Sequence, residues 1–341
     1  MDAVKQLFKN IFDRGLSLES QKYIIVILTI LSLFAYGIYR GYRTHVSVSA
    51  EEEHFDGSLT EDIQDVVRSF AKGGQGASSD FKNCDTVLKI YDKFYADLYD
   101  TLFYSKARYQ VEYAFVKTKA LKSYEGKRIR ILDLGCGTGH HVNIFRRNNY
   151  ECEGVDISPH MIRVAQNKYP ANTYTEADFM NADIYEPRTF SHITCFFYTI
   201  YYVEDIHRLF ENVNRWLKPK GIFALHVVDK RKFDPVLEKS SSLIPFYNPQ
   251  RHKRKTHTSL KFKDFDYDAD WSLDTRPVVF TETFAFSNKR VRRNTHKFNM
   301  RTLKTYTSTA EATGFKLVTA SDLMIANHPH NYIMFFEKVY G

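Results

Sequence analysis

The chain has 341 residues, 43% of them hydrophobic and 26% charged, which excludes wholesale disorder and allows one large domain or two small ones. Its formal net charge of +8 is uneven. Lys230 to Arg301 holds about 17 Lys and Arg against about 8 Asp and Glu, so the remainder is near neutral.

Residues 1–22 form a flank whose Val4, Leu7, Phe8, Ile11 and Phe12 make a weakly amphipathic face suited to a membrane surface. Tyr23 to Tyr39 (YIIVILTILSLFAYGIY) is an uncharged run of about 17 residues, the short end of what spans a bilayer. Lys22, Arg40 and Arg43 flank it, and Tyr23, Tyr36, Tyr39 and Tyr42 fit interfacial belts. A cleaved signal peptide has a shorter leader and an uncharged cleavage region, so a single-pass transmembrane helix is expected over 23–39. The leading charges Lys5, Lys9, Arg14 and Lys22 slightly favour a cytoplasmic N-terminus. Residues 44–83, with Glu51-Glu-Glu53 and the small-residue patch Lys72–Ser79, read as a tether holding one short helix over 60–70.

Residues 84–341 read as one α/β domain. Val87, Ile90, Tyr91, Phe94, Tyr95, Leu98 and Leu102 predict a single helix over 86–104, and a second follows over 107–121. Strands over 129–134, 151–156, 172–177, 191–197 and 221–228 alternate with helices over 139–148, 158–168 and 204–217, as a parallel doubly wound sheet requires. Pro219-Lys-Gly221 predicts a turn, and helix 302–313 precedes strands 315–321 and 332–339. Between them lies an insertion, 229–301. Its alternating stretches Ser259–Tyr267, Val278–Phe286 and His296–Met300 suggest a small antiparallel sheet. Its basic runs Arg251–Lys255 and Lys289–Arg293 point to an anionic partner such as a phospholipid head, a nucleotide-linked sugar or, least favoured for want of any RNA-binding module, nucleic acid. Cys84, Cys136, Cys152 and Cys195 have neither zinc nor disulfide-framework spacing and read as free core thiols of a reducing compartment. No His/Cys cluster has ligand spacing, so no metal is expected.

The chemistry-bearing positions follow the strands. Ile129–Leu134 runs into Gly135-Cys-Gly-Thr-Gly139 and a helix, with Asp133 just before the first glycine. Nicotinamide-binding turns are spaced G-x-G-x-x-G and face a pyrophosphate; here the spacing is G-x-G-x-G, and the carboxylate suits a cationic, amine-bearing ligand. The next strand ends at Asp156, whose carboxylate can accept from two vicinal hydroxyls or cap the helix announced by Ser158-Pro159. The third ends in Glu176-Ala-Asp-Phe179 and the fourth in Cys195-Phe-Phe-Tyr-Thr-Ile-Tyr-Tyr-Val203. In this order, over about Tyr91 to Val339, the positions resemble the class I S-adenosylmethionine (SAM) methyltransferases. The resemblance implies a Rossmann-like seven-stranded sheet with SAM as cofactor. Gly135, Cys136, Gly137 and Gly139 would lie beneath its methionine portion and Asp133 at its amino group. Asp156 would hold the ribose, Ile157 would pack on the adenine, and Asp178 and Phe179 would read the ring. Phe197, or Tyr198 beside it, would sit near the sulfonium.

The segment with Tyr91, Tyr95 and Tyr99, followed by Tyr109-x-x-Glu112, is similar to the lid of amino-sugar N-methyltransferases, which implies that Tyr91 stands beside the transferred methyl. Tyrosines at that spacing also pack as an ordinary helix face. Where that branch carries a histidine base after the fourth strand, this chain has Tyr202, a poor base at neutral pH. His140 and His141 are alternative bases, although first-turn histidines usually face solvent. The expectation is a membrane-anchored SAM-dependent methyltransferase acting on a small-molecule, lipid-head or sugar acceptor, with Tyr91 and Tyr202 as catalytic residues. A protein methyltransferase serving a membrane partner and a non-catalytic interaction module compete with it. The fourth strand lacks the Asn-Pro-Pro-Tyr type tetrapeptide of amide and adenine N-methyltransferases, and the intact acidic positions argue against a non-catalytic fold. Cytosolic SAM and free thiols put the catalytic part in the cytosol, against the slight lean of the flanking charges.

Overall fold

The structure is a computed structural model that describes residues 61–72, 81–124, 128–235, 254 and 256–339. The apolar run 23–39 and its flank lie outside these residues. Among the described residues no helix is long and apolar enough to cross a membrane.

Helix α1 (Glu61–Lys72) is followed by strand β1 (Phe81–Cys84) and by α2 (Val87–Ile90), α3 (Lys93–Phe103) and α4 (Lys106–Lys119). The alternating core then runs β2 (Arg130–Leu134), α5 (His140–Arg147), β3 (Glu151–Asp156), α6 (Pro159–Lys168), β4 (Thr173–Glu176), β5 (Phe190–Cys195), α7 (Ile206–Trp216) and β6 (Leu217–Val228). The insertion supplies β7 (His257–Lys261), β8 (Phe265–Ser272), β9 (Val278–Phe286) and β10 (Val291–Phe298). The chain closes with α8 (Leu303–Ala312), β11 (Phe315–Asp322) and β12 (Asn331–Lys338).

Strands β2 and β5, covered by helices on both faces, bury nearly every residue, so their sequences are continuous rather than alternating. They lie at the centre of a seven-stranded sheet of order β11-β12-β6-β5-β2-β3-β4. Its inner strands pair in parallel and β12 reverses direction between β6 and β11. The strand order turns back between β2 and β5, and that switch point is where open α/β sheets take their ligands. Residue chemistry sets the helix starts: Ser158 Oγ accepts from Met161 N ahead of Pro159, and Asp205 and Thr302 cap α7 and α8 in the same way.

The insertion folds as an antiparallel sheet, extended to order β1-β10-β9-β8-β7. The stretch Ser259–Tyr267, however, is not one strand: it is split between β7 and β8 by the turn at 262–264. On β9 inward and outward residues alternate: Val278, Phe280, Glu282, Phe284 and Phe286 are buried while those between them are half-buried. Its buried face packs on α3, with Phe94 against Phe284 and Phe286.

Four further expectations need correction. The single helix over 86–104 is broken at Tyr91. Asp92 turns extended and caps α3 through Tyr95 N, while buried Arg292 donates to Ile90 O (2.9 Å) and, through Nη1, to both Asp92 oxygens (2.9 and 2.8 Å). That same arginine belongs to the run Lys289–Arg293, which is therefore not wholly at the disposal of an anionic partner. The end of the supposed tether, Phe81–Cys84, is a strand paired in parallel with β10. Pro219-Lys-Gly221 does bend the chain, with Lys220 at φ +60°, but not ahead of a separate strand. It sits inside β6, where pairing with β5 skips from Leu217 to Ile222.

Candidate active site

The glycine turn joins β2 to α5, and its three glycines all have positive φ (64°, 54° and 82°). Their surroundings differ. A Cβ on Gly135 would stand 2.4 Å from Thr199 Cγ2, and one on Gly139 would stand 2.5 Å from the Tyr174 hydroxyl. At Gly137 it would meet nothing within 4 Å, so here the turn opens to free space. Cys136 is committed to the fold: its N–H donates to Val155 O, and its thiol packs where a Gly154 side chain would be.

Asp133, buried on β2, accepts from Thr194 Oγ1 (2.7 Å). Burial pushes its carboxyl up to about 6, against the opposing influence of His141 and the Thr194 hydrogen bond. Asp156, at the tip of β3, accepts from Ser158 N through Oδ1 (2.9 Å) and from Gly137 N through Oδ2 (3.0 Å). Ser158 is the cap of α6, so Asp156 is free of that role. Burial raises its carboxyl, opposed by these amides and by that of Ile157. Half-buried Ile157 follows it. Asp178 is exposed beyond β4 and accepts from Met180 N (2.8 Å), while Phe179, half-buried, gives its carbonyl to Asn212 Nδ2 (3.1 Å). These residues fit SAM: a positive-φ turn with an open middle glycine, a buried carboxylate beneath it and a two-oxygen acceptor beside it.

His140 and His141 are buried rather than solvent-facing, because α5 starts beneath α3 and α4. His140 Nε2 contacts Asp100 Oδ2 (2.9 Å), whose other oxygen accepts from Thr138 Oγ1 (2.7 Å). His141 Nε2 contacts Glu112 (2.8 Å), which also pairs with buried Arg108 and with His226. Burial raises the Glu112 carboxyl, but Arg108 and the two histidines outweigh it and hold it well below the usual range. This cluster props Phe197: Arg108 stacks on its ring, and its N–H donates to His226 Nδ1 (3.1 Å). Phe197 has φ +52°, a strained value for an aromatic residue, and it throws the chain past β5 into a 3-10 turn, Thr199–Tyr202.

Beyond that turn lies a small cavity of about 40 Å³ lined almost wholly by aromatic rings. Tyr91, Tyr95, Tyr99 and Phe103 come from the lid segment, Phe197, Tyr198, Thr199 and Tyr202 from the end of β5, and Phe280, His296 and Phe298 from the insertion. Thus Tyr91, Tyr202 and Phe197 come together, whereas Asp178, Phe179 and Ile157 lie beyond the tips of β3 and β4. Tyr91 stands at the helix break, where its carbonyl accepts from Ser158 Oγ (2.7 Å), tying the cavity to the Asp156 side.

Two polar residues were not anticipated, His296 in the cavity wall and Glu282 behind it. His296 Nδ1 lies 2.5 Å from the Tyr202 hydroxyl, and its Nε2 lies 2.7 Å from Glu282 Oε2. The Tyr202 hydroxyl is 3.0 Å from that of Tyr91. A signal was present in the alternation, since Glu282 occupies the inward phase of β9 between Phe280 and Phe284.

The model of a methyltransferase domain family matches residues 105–320, well over half of the chain. The chain belongs to that family of SAM-dependent methyltransferases. Two of its relatives are sugar enzymes. A dTDP-4-amino-2,3,4,6-tetradeoxy-D-glucose N,N-dimethyltransferase of Saccharopolyspora spinosa is 29% identical over 139 residues, 40% of this chain and 55% of its own. A dTDP-3-amino-3,4,6-trideoxy-alpha-D-glucopyranose N,N-dimethyltransferase of Streptomyces venezuelae is 24% identical, over 40% of this chain and 58% of its own. The chain spans about half the length of the curated relatives it matches. The methyltransferase fold is shared with a SAM-bound amino pentose methyltransferase from Micromonospora echinaspora at 16% identity and TM-score 0.52, covering 73% of this chain and 98% of that one.

Proposed function

We propose that this methyltransferase transfers a methyl group from SAM to a small-molecule acceptor, with an amino sugar or a similar amine-bearing head as the favoured class. The observation that carries the reading is the position of Thr199, which packs over Gly135 and also lines the aromatic cavity, so the glycine turn and the cavity share a wall. When bound, SAM supplies a sulfonium methyl, an electrophile open to displacement by a nucleophile. The work of the chain is to bind, orient and exclude water. Asp156 takes the ribose hydroxyls, Asp133 the amino group, and the backbone of Gly135, Gly137 and Gly139 lies beneath the methionine portion. Ile157, Asp178 and Phe179 receive the adenine end, and Phe197 with Tyr198 walls the reacting centre. Burial holds the Tyr91 and Tyr202 hydroxyls well above their usual range, so both stay protonated and serve the nucleophile as hydrogen-bonding groups.

The amine-bearing class rests on the substrates named for the two sugar relatives and on the aromatic lining, which favours a cation over an anion. Of the described basic residues in the two runs, Arg292 and Arg254 are drawn into the fold. Arg254 donates to Lys230 O and Phe233 O. The run 23–39 we read as a single-pass anchor with the catalytic part on the cytosolic side, which keeps a lipid-borne head within the acceptor class. Retention of the full chain in the membrane pellet after alkaline extraction is the expected result, and release would remove the anchor from the reading.

Calorimetry of the full chain with SAM tests the central claim. Binding is expected, and Asp156→Ala is expected to weaken it by about 100-fold, the equivalent of about 2.7 kcal/mol for two charge-assisted hydrogen bonds. Failure of the unsubstituted chain to bind SAM overturns the reading.

A further inference from the structure

The insertion carries a buried polar chain that reaches the aromatic cavity through His296. Glu282, on β9, accepts from Tyr267 OH (2.8 Å) and Asn294 Nδ2 (3.1 Å) and lies 2.7 Å from His296 Nε2. Both Glu282 and His296 are buried. Burial raises the Glu282 carboxyl, but the hydrogen bond and attraction of His296, with hydrogen bonds from Tyr95 and Asn294, outweigh it, so it sits below the usual carboxylate range. An ionised Glu282 fixes the His296 tautomer, with Nε2–H donating to it and the Nδ1 lone pair accepting from the Tyr202 hydroxyl. Tyr202 O then faces the Tyr91 hydroxyl and the cavity.

We propose that this chain, Glu282–His296–Tyr202, is the proton acceptor of the reaction, and that the acceptor substrate is an amine entering the aromatic cavity as an ammonium ion. The inference rests on the methyl-transfer reading above and deepens it. An ammonium has no lone pair and is inert as a nucleophile. As its N–H proton passes to Tyr202 O, the Tyr202 proton passes to His296 Nδ1. The imidazolium so formed is paired with Glu282, and the nitrogen lone pair so freed forms the new N–CH3 bond while the carbon–sulfur pair stays on sulfur. His296 returns its proton to solvent once the product has left. Tyr202 is a conduit, since burial keeps tyrosinate out of reach. The base thus comes from a roof strand 94 residues beyond Tyr202 in the chain, and restores what the missing histidine of the 3-10 turn would have supplied. Ring faces attract an ammonium head, and the cavity of about 40 Å³ takes that head group alone. Glu282 is the buried carboxylate connected to it through the relay, with buried Arg292 one step further back through Asn294. Tyr91, Tyr95, Tyr202 and Tyr267 are the other titratable groups facing His296 or Glu282, and burial holds all four protonated.

The test uses the full chain with SAM and a nucleotide-linked amino sugar, following methyl transfer from pH 6 to about pH 9.5, where solvent itself deprotonates the amine. His296→Asn and Tyr202→Phe are expected to lower kcat by about 100-fold or more near pH 7 and to recover to within a few-fold at the alkaline end. Glu282→Gln, which acts through His296, is expected to lower it by about tenfold with the same recovery. Tyr202→Phe retains the ring and so stands in if His296→Asn does not fold. A loss that is the same at every pH, or no loss at all, overturns the relay. An unsubstituted chain that binds SAM but does not methylate the amino sugar overturns the amine assignment. Absence of SAM binding by the unsubstituted chain falls instead on the methyl-transfer reading.

Discussion

At the scale of single residues, Asp133 shows how a ligand site costs stability. Its carboxyl is 1% exposed and answered by one hydroxyl, so ionising it in the folded state is unfavourable. Because the folded value, about 6, is raised above the unfolded one, the penalty is absent below about pH 4. It grows as pH rises and is complete above about pH 6, where two units correspond to about 3 kcal/mol. Asp133→Asn is therefore expected to melt several degrees above the unsubstituted chain at pH 7.5 and to lose that advantage near pH 4. Its affinity for SAM is expected to fall at pH 7.5, where the unsubstituted carboxylate is charged, and to fall little near pH 4. Thermal scans at the two pH values with calorimetry alongside check both halves. A variant that is less stable at pH 7.5 would show that the Thr194 hydrogen bond, not the charge, dominates at this position. Asp133 illustrates a general point about legibility. The carboxylate before the first glycine is visible in the sequence because a short local pattern specifies it. Its burial and raised carboxyl are not, because β5, some 60 residues further on, supplies the cover.

At the scale of elements, α3 is held to the glycine turn by Asp100. Its carboxylate accepts from Thr138, contacts His140 and pairs with Lys168, which joins the lid helix to the start of α5 and the end of α6. Burial raises this carboxyl and its partners more than reverse that, bringing it down to about 2. A depressed value stabilises above the unfolded range near pH 4, and the contribution is lost as pH falls through about 2. Asp100→Asn is expected to cost about 1–3 kcal/mol at neutral pH, with the gap to the unsubstituted chain closing as pH falls toward 2. Faster hydrogen exchange confined to α3 and a severalfold weaker SAM affinity would locate the effect in the lid; protection unchanged along α3 would refute the clamp. The helix itself was legible from the spacing of Phe94, Tyr95, Leu98 and Leu102, which are all buried. Its start was not. Helical periodicity runs on through Tyr91-Asp92, and the break depends on Arg292, 200 residues away, drawing Ile90 O and the Asp92 carboxylate to itself.

At the scale of the whole molecule, the candidate site divides between two sheets. The seven-stranded sheet carries the glycine turn, Asp133 and Asp156, all near one another in sequence and hence readable as motifs. The five-stranded sheet carries His296 and Glu282, and His296 meets Tyr202 across 94 residues of chain, so local alternation could show Glu282 facing inward but not what the pair reaches. Arg292 is the mechanical link between the halves, buried on β10 and paired bidentately with the cap of α3. Burial raises the Asp92 carboxyl, but Arg292 and Lys82 outweigh it, so both members of the pair are charged. Removing one partner of such a buried pair costs about 3 kcal/mol, for which about 5–10 °C in Tm is expected in Arg292→Leu. The functional consequence should be lopsided. The SAM side belongs to the other sheet and should bind with little change, whereas Tyr91, which owes its position to the break, should drift from Tyr202. Turnover should therefore fall by at least tenfold while the calorimetric SAM affinity stays within a few-fold. If the affinity for SAM falls in step with turnover, the two sheets act as one unit, and the division of labour between cofactor sheet and acceptor roof does not hold.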